Sequence, residues 1–137
     1  MKLKKVLIIL ITLIIIVIVS TLLHYQNMNY ISENWNIDFP SENTIVYQVK
    51  PSPSFTNDGI YYEVQESKSK KLPITLSNKK NNEIDEEFHK YTIEAKVTQR
   101  QLPDFSQDYK YYKKRDVGRS LIVVGQRHKL YIVSYNL

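Results

Sequence analysis

Few residues in this chain are of the types that carry out acid-base, nucleophilic or metal chemistry. The three histidines, His24, His89 and His128, are far apart, and no pair has the short spacing of zinc ligands. The chain has no cysteine, which excludes a thiolate metal site and a thiol nucleophile. Asp58 and Glu63 flank aromatic residues, but Asp58 belongs to a predicted turn and Glu63 to the predicted solvent face of a strand. We therefore predict no catalytic residue, no metal and no cofactor, and a protein that is not an enzyme.

Tyrosine is the unusual component of the composition, with 11 residues, all of them after residue 24. A tyrosine ring offers an apolar face and a polar tip, which suits the binding of sugars, peptides and proteins. One interpretation is an exposed patch of aromatic and basic side chains, made of Tyr61, Tyr109, Tyr111, Tyr112, Lys113 and Arg115. The alternative is that a small sheet uses tyrosine in half-buried strand positions.

A strongly apolar segment lies near the N-terminus. Residues 6–23 carry no charge and follow Lys2, Lys4 and Lys5. As a helix this run is about 27 Å long at about 1.5 Å per residue, close to the ~30 Å hydrocarbon core of a bilayer. The lysines before it place the N-terminus in the cytoplasm. We predict a cytoplasmic tail over 1–5 and a single-pass transmembrane signal anchor over 6–23, with the lipid bilayer as its partner.

The alternative is a signal peptide that is cleaved, so that the protein is secreted. Such a peptide has an apolar region of about 7–15 residues followed by a small-x-small cleavage site. The run here is longer, and the residues near its end, Ile18-Val19-Ser20-Thr21, offer neither alanine nor glycine. The sequence therefore favours an uncleaved anchor with the C-terminal domain outside the cell membrane.

The charge of the remaining chain argues against nucleic acid as a partner. From His24 onward there are 16 Lys and Arg and 14 Asp and Glu, so three of the overall +5 charges belong to the lysines before the anchor. A nucleic-acid-binding domain is expected to carry a basic stripe. Short basic clusters at 68–71, 79–80 and 110–115 indicate either solvated loops and edge strands or attraction to anionic lipid or anionic wall polymer.

Alternating and β-branched runs predict strands. They lie at 45–49, 60–65, 121–124 and 130–133, and the last two form a central β-hairpin covered on both faces. In the alternating strand, Tyr61, Glu63 and Gln65 are predicted to face solvent. Residues 109–114 are either a strand edge or a loop.

One helix is predicted over about 83–98, with Asn82 as its N-cap. Residues 32–40 alternate in polarity and are predicted to be extended, with one face tucked into the domain. The fold class is therefore α+β: an N-terminal transmembrane helix followed by a small antiparallel β-sheet domain with one packed helix. Residues 24–40 form the juxtamembrane stalk and lead-in segment, and 41–137 form the extracytoplasmic domain.

Three segments together resemble a group of small signal-anchored extracytoplasmic proteins of Gram-positive bacteria. They are Trp35-Asn36-Ile37-Asp38-Phe39-Pro40, Asn57-Asp58-Gly59-Ile60-Tyr61-Tyr62 and Leu130-Tyr131. The resemblance covers most of residues 32–135. It implies an N-terminal anchor, a tryptophan-containing lead-in segment and a C-terminal hairpin, and it assigns no activity.

These observations predict a membrane-anchored extracytoplasmic binding module. Its partner is expected to be an envelope protein or a wall polymer, and an inhibitor or an immunity protein against a secreted toxin is one form that such a module takes. The alternative is a cell-envelope hydrolase or a stress-sensing envelope protein whose site the sequence does not reveal.

Overall fold

The computed structural model describes residues 2–27, 29–52, 58–69, 71–77 and 79–137. The helices are α1 (Lys2–Asn27), α2 (Tyr30–Trp35) and α3 (Asn82–Glu94), with a 3-10 turn at Gln99–Gln101. The strands are β1 (Thr44–Val49), β2 (Gly59–Glu66), β3 (Lys110–Asp116), β4 (Arg119–Gln126) and β5 (Lys129–Asn136). They form one antiparallel sheet in the order β1-β2-β5-β4-β3, so the α+β class is confirmed.

Helix α1 contains an apolar stretch, Lys4–Leu23, that is long enough to cross a membrane. None of this stretch is buried against the rest of the protein. The Thr12 hydroxyl donates to the carbonyl of Ile8 at 2.9 Å, and the Thr21 hydroxyl donates to that of Val17 at 2.7 Å. The helix thus satisfies its own polar groups, as a membrane anchor or a signal sequence must.

Helix α3 packs on one face of the sheet. Its buried residues Ile84, Phe88 and Tyr91 recur at the spacing of one helical face, as predicted. The Phe88 ring lies edge-on to Tyr62 of β2 and to Phe105, with centroids 6.0 and 5.5 Å apart. This face of the core is therefore largely aromatic.

The predicted ends of α3 were wrong. Asn81 caps the helix instead of Asn82, because its side chain accepts a hydrogen bond from the backbone N–H of Glu83 at 2.9 Å. The helix ends at Glu94 instead of continuing to 98, and Lys96 beyond it has a left-handed φ of 57°.

Residues 30–39 and 72–76 cover the other face of the sheet. Tyr30 stacks on Tyr61 with ring centroids 4.5 Å apart, and the buried Trp35 indole donates to Ser134 Oγ at 2.7 Å. Although the sequence predicts an extended segment here, residues 30–35 are helical. Asn29 caps this helix by accepting from the backbone N–H of Ser32 at 3.2 Å.

Because of this cover, the prediction that Tyr61, Glu63 and Gln65 face solvent was wrong: all three are buried. Glu63 is 3% exposed and accepts hydrogen bonds from the Tyr61 hydroxyl and, at 2.6 Å, from Gln65 Nε2. Burial raises the pKa of Glu63, although hydrogen bonds from Tyr61, Gln65 and Gln48 oppose the shift.

The raised pKa of Glu63 predicts that Glu63→Gln stabilises the protein at neutral pH. A carboxyl with a raised folded-state pKa contributes most to stability when it is protonated, and this contribution is lost as the pH rises through the folded pKa. The midpoint of urea unfolding in micelles is therefore expected to be higher for Glu63→Gln at pH 7. The gap should close as the pH falls to about 4, since both side chains are then neutral. A variant less stable than wild type at pH 7 would contradict this account.

An ionic cluster joins α3 to β3 around Glu87, whose side chain is 10% exposed. Lys113 Nζ and Arg115 Nη2 donate to Glu87 Oε2, the latter at 2.8 Å, and Ser120 Oγ donates to Oε1 at 2.9 Å. Burial alone would raise the pKa of Glu87, but the bonds from Lys113, Ser120, Tyr91 and Arg115 lower it to about 2.

The Glu87 cluster predicts a pH-dependent contribution to stability. A depressed pKa gives stability that is present above the unfolded pKa and is lost as the pH falls through the folded value of about 2. Glu87→Gln is expected to lower the free energy of unfolding at pH 7 by on the order of 2 kcal/mol. In urea titrations between pH 7 and 2, this deficit should shrink below about pH 4.5. A deficit that stays constant with pH would show that the ionic bonds do not cause it. Glu86→Gln, on the same helix but exposed, is the matched control.

Candidate binding site

The structure does not bring together the histidines and carboxylates that the sequence analysis considered for acid-base or metal chemistry. His89 is exposed on α3, His128 is exposed in the β4–β5 turn, and the side chain of His24 lies outside the described residues. Glu63 is buried, whereas Asp58 is exposed before β2. In the described part of the chain, no three His, Asp or Glu side chains converge as metal ligands would.

The tyrosines mostly serve the core. Tyr61 and Tyr109 are buried, while Tyr111 and Tyr112 on β3 are half-buried. Burial raises the pKa of Tyr109 to about 12, with the hydrogen bond from its hydroxyl to Asp85 adding to the shift. An exposed patch that includes Tyr61 and Tyr109 is therefore absent. The half-buried strand interpretation holds for Tyr111 and Tyr112 on β3, whereas Tyr61 is fully buried in β2 and Tyr109 is buried just before β3.

A cavity in the described part of the chain lies at the β4–β5 turn, and we call it the hairpin cavity. It has a volume of about 690 Å³ and is open to solvent. Its apolar residues are Leu72, Leu76 and Leu130. Gly125 makes room for this wall, because a Cβ there would lie 2.7 Å from Leu76 Cδ1.

Basic side chains dominate the polar lining of the hairpin cavity. Lys80, Lys110, Arg127 and Lys129 line it together with His128, whereas Asp108 is the acidic residue among the lining residues. Within the described residues, none of the four cations lies within 4.0 Å of a carboxylate. By contrast, Lys113 and Arg115 on the same strand as Lys110 are paired with glutamates. Asp108 in the lining and Asp104, which interacts electrostatically with Arg127, offset only part of this positive charge.

Hydroxyl groups complete the lining. Ser67 and Ser69 lie on the loop after β2, and the backbone N–H of Ser67 donates to the carbonyl of His128 at 2.7 Å. Arg127 is held by Gln107, whose Oε1 accepts from Nη2 at 2.8 Å. The Ser67 and Ser69 hydroxyls donate to the carbonyls of Ser69 and Lys71, so the ammonium and guanidinium groups are the donors that suit phosphate or carboxylate oxygens.

The hairpin cavity lies far from the attachment point of α1. The chain enters the domain at Tyr30, whose hydroxyl accepts a hydrogen bond from Asn136 Nδ2 at 3.0 Å. Asn136, at the end of β5, pairs with Arg119 at the start of β4, so Tyr30 contacts this end of the sheet. Gly125, which lines the cavity, is six residues further along β4. At about 3.3 Å per residue, about 20 Å of sheet separates the two ends.

Part of this cavity lining is visible in the sequence. The basic clusters at 79–80 and 110–115 contain Lys80 and Lys110, and the sequence leaves open whether such clusters attract an anionic polymer. Arg127 and Lys129 lie in the predicted connection of the hairpin, where the sequence indicates no role for them. The available signal was that Gly125-Gln126-Arg127-His128-Lys129 combines a tight turn with two basic side chains, Arg127 and Lys129.

Comparison of the chain with protein-family models, curated proteins and solved structures finds no match.

Proposed function

We propose that the protein is a single-pass membrane-anchored extracytoplasmic binding module that binds an anionic polymer of the cell envelope in the hairpin cavity. In this proposal residues 6–23 cross the bilayer, residues 1–5 are cytoplasmic, and the domain lies outside. The length and apolar composition of Lys4–Leu23 and the lysines at the N-terminal end of α1 support this orientation.

The ligand class is inferred from four cations in the cavity that form no salt bridge within the described residues. Lys80, Lys110, Arg127 and Lys129 come from three separate parts of the chain and meet around one open cavity. Bringing like charges together is unfavourable unless an anion joins them, so their convergence favours an anionic ligand. A polymer with repeated phosphate or carboxylate groups could place one such group at each of several of these cations.

The position of the cavity favours a wall polymer over lipid headgroups. A headgroup lies next to the anchor, whereas the cavity is at the opposite end of β4 and β5 from the point where the chain enters the domain. The net charge of the chain after residue 23, with 16 basic and 14 acidic residues, gives little general attraction to anionic lipid. Binding is therefore expected to be local to the cavity.

Sedimentation with isolated Gram-positive cell walls tests this proposal. The full chain in zwitterionic nanodiscs is mixed with walls before and after chemical removal of their anionic polymers. The proposal predicts that the protein sediments with intact walls and stays in solution with stripped walls. Equal sedimentation with both would contradict it, since bare peptidoglycan would then be the ligand.

A reporter at the C-terminus tests the orientation separately. A reporter that is active only outside the cytoplasm is expected to be active on the full chain. Activity only of a cytoplasmic reporter would contradict the proposed topology, whatever the ligand.

A further inference from the structure

A second cavity lies between β1, β2 and the chain that precedes β1, and we call it the β1–β2 cavity. It has a volume of about 430 Å³, which is within the range of small-molecule sites. Tyr61, Glu63 and Gln65 of β2 line it, and all three residues are buried. Phe39 and Ile45 add apolar surface to the lining. The cavity thus reaches a buried acidic residue in the middle of the sheet.

The groups that contact the Glu63 carboxyl are neutral. The Tyr61 hydroxyl donates to Oε2, and Gln65 Nε2 donates to Oε1 at 2.6 Å. Gln48 Nε2 in turn donates to the Tyr61 hydroxyl at 2.6 Å, and Asn43 Nδ2 donates to Gln65 Oε1 at 2.9 Å. Each of these hydrogen bonds is directed toward Glu63, so the network makes Glu63 its final acceptor.

No cation of the described chain contacts this carboxyl group. Within the described residues, no lysine, arginine or histidine nitrogen lies within 4.0 Å of Glu63. Lys50 lines the cavity and lowers the pKa of Glu63 from beyond that distance, but burial raises it by more. Buried carboxylates are ordinarily paired with a cation, because an unpaired buried charge is costly. An ionised carboxylate also has about four acceptor positions, so Glu63 can accept a further donor.

We propose that the β1–β2 cavity binds a ligand through a primary ammonium group that donates to the Glu63 carboxylate. Such a group supplies both the positive charge and the additional donor. Phe39 and Ile45 would contact the hydrocarbon chain next to the ammonium group. A free amine and the lysine side chain of a peptide present this same chemistry. The proposal does not depend on the hairpin cavity, whose basic lining suits the opposite charge.

Ligand-dependent stability tests the proposal, because a ligand that binds only the folded state raises the midpoint of urea unfolding. The full chain in zwitterionic micelles is unfolded at pH 7 in n-butylammonium chloride, in sodium chloride at the same concentration, and in sodium chloride with n-butanol. The midpoint is expected to rise only with n-butylammonium and to saturate as its concentration increases. Nα-acetyl-lysine methylamide replaces n-butylammonium in a second series. A rise with either amine supports the proposal, and the larger rise identifies the better source. Equal midpoints in all solutions would overturn it.

Two variants test whether Glu63 and the cavity cause the rise. Glu63→Gln is expected to abolish it, and this loss would not reflect unfolding, since the variant is expected to be more stable at pH 7. Ile45→Lys places a tethered ammonium group at a 51% exposed position of the lining, where it competes with the ligand and is expected to reduce the rise. Glu86→Gln, exposed on α3, is the matched control and should keep the full rise. An unchanged rise in Glu63→Gln or in Ile45→Lys would overturn the proposal.

Discussion

Replacement of Trp35 by alanine is expected to lower the free energy of unfolding by about 3–5 kcal/mol. Trp35 is 3% exposed, packs in the core beneath the sheet and donates its indole N–H to Ser134. The substitution removes this packing and leaves the buried Ser134 hydroxyl without its donor. Urea unfolding of the full chain in micelles, followed by circular dichroism, measures the effect.

Two control variants separate the contribution of the Trp35 ring from that of the short helix and from that of the indole hydrogen bond. Glu33→Ala, exposed on the same short helix, is expected to change stability by no more than about 0.5 kcal/mol. Trp35→Phe keeps an apolar ring but loses the indole donor, so an intermediate effect is expected. Wild-type stability of Trp35→Ala would contradict the structure, since residues 30–39 would then be a detachable stalk instead of part of the core.

Reversing two charges in the hairpin cavity is expected to abolish most binding to anionic wall polymer. Lys110→Glu with Arg127→Glu removes two donors from β3 and the β4–β5 turn and puts repulsive carboxylates in their place. Each charge-assisted hydrogen bond contributes about 1.5–3 kcal/mol, so the two together predict an affinity at least about 100-fold lower. Sedimentation with intact cell walls at a series of protein concentrations measures the loss.

The matched control changes the net charge by the same amount outside the cavity. Lys90 on α3 and Arg100 in the 3-10 turn are both exposed and do not line the cavity. Lys90→Glu with Arg100→Glu is expected to reduce binding only slightly, because exposed charges more than about 10 Å away are screened at physiological salt. Equal losses in the two double variants would show that net charge, and not the cavity, determines binding.

Local pattern was sufficient to predict four of the five strands and the buried face of α3, whereas it left β3 open between a strand edge and a loop and misplaced the ends of α3. The β4–β5 hairpin is central and buried on both faces, as its two continuous apolar runs predicted. The face of α3 that contains Ile84, Phe88 and Tyr91 followed from helical spacing. These features depend on residues close together in the chain.

The errors about burial arose where distant segments meet. Strand β2 alternates as a half-buried strand does, yet Tyr61 is buried because Tyr30 stacks on it from the lead-in segment. Nothing near Glu63 in the sequence shows this cover. The hairpin cavity depends in the same way on three separated parts of the chain that carry Lys80, Lys110 and Lys129. Its charges could be counted from the sequence, but their convergence, and the finding that they form no salt bridge within the described residues, required the fold.

The most direct test of the central claim is the affinity of the full chain, in zwitterionic nanodiscs, for inorganic polyphosphate as a model anionic polymer. Isothermal titration calorimetry is expected to show binding that weakens as salt is raised and is lost in the Lys110→Glu, Arg127→Glu variant but not in Lys90→Glu, Arg100→Glu. No binding of the wild-type protein at low salt, or equal affinity of the two double variants, would contradict the assignment of the hairpin cavity as an anion-binding site.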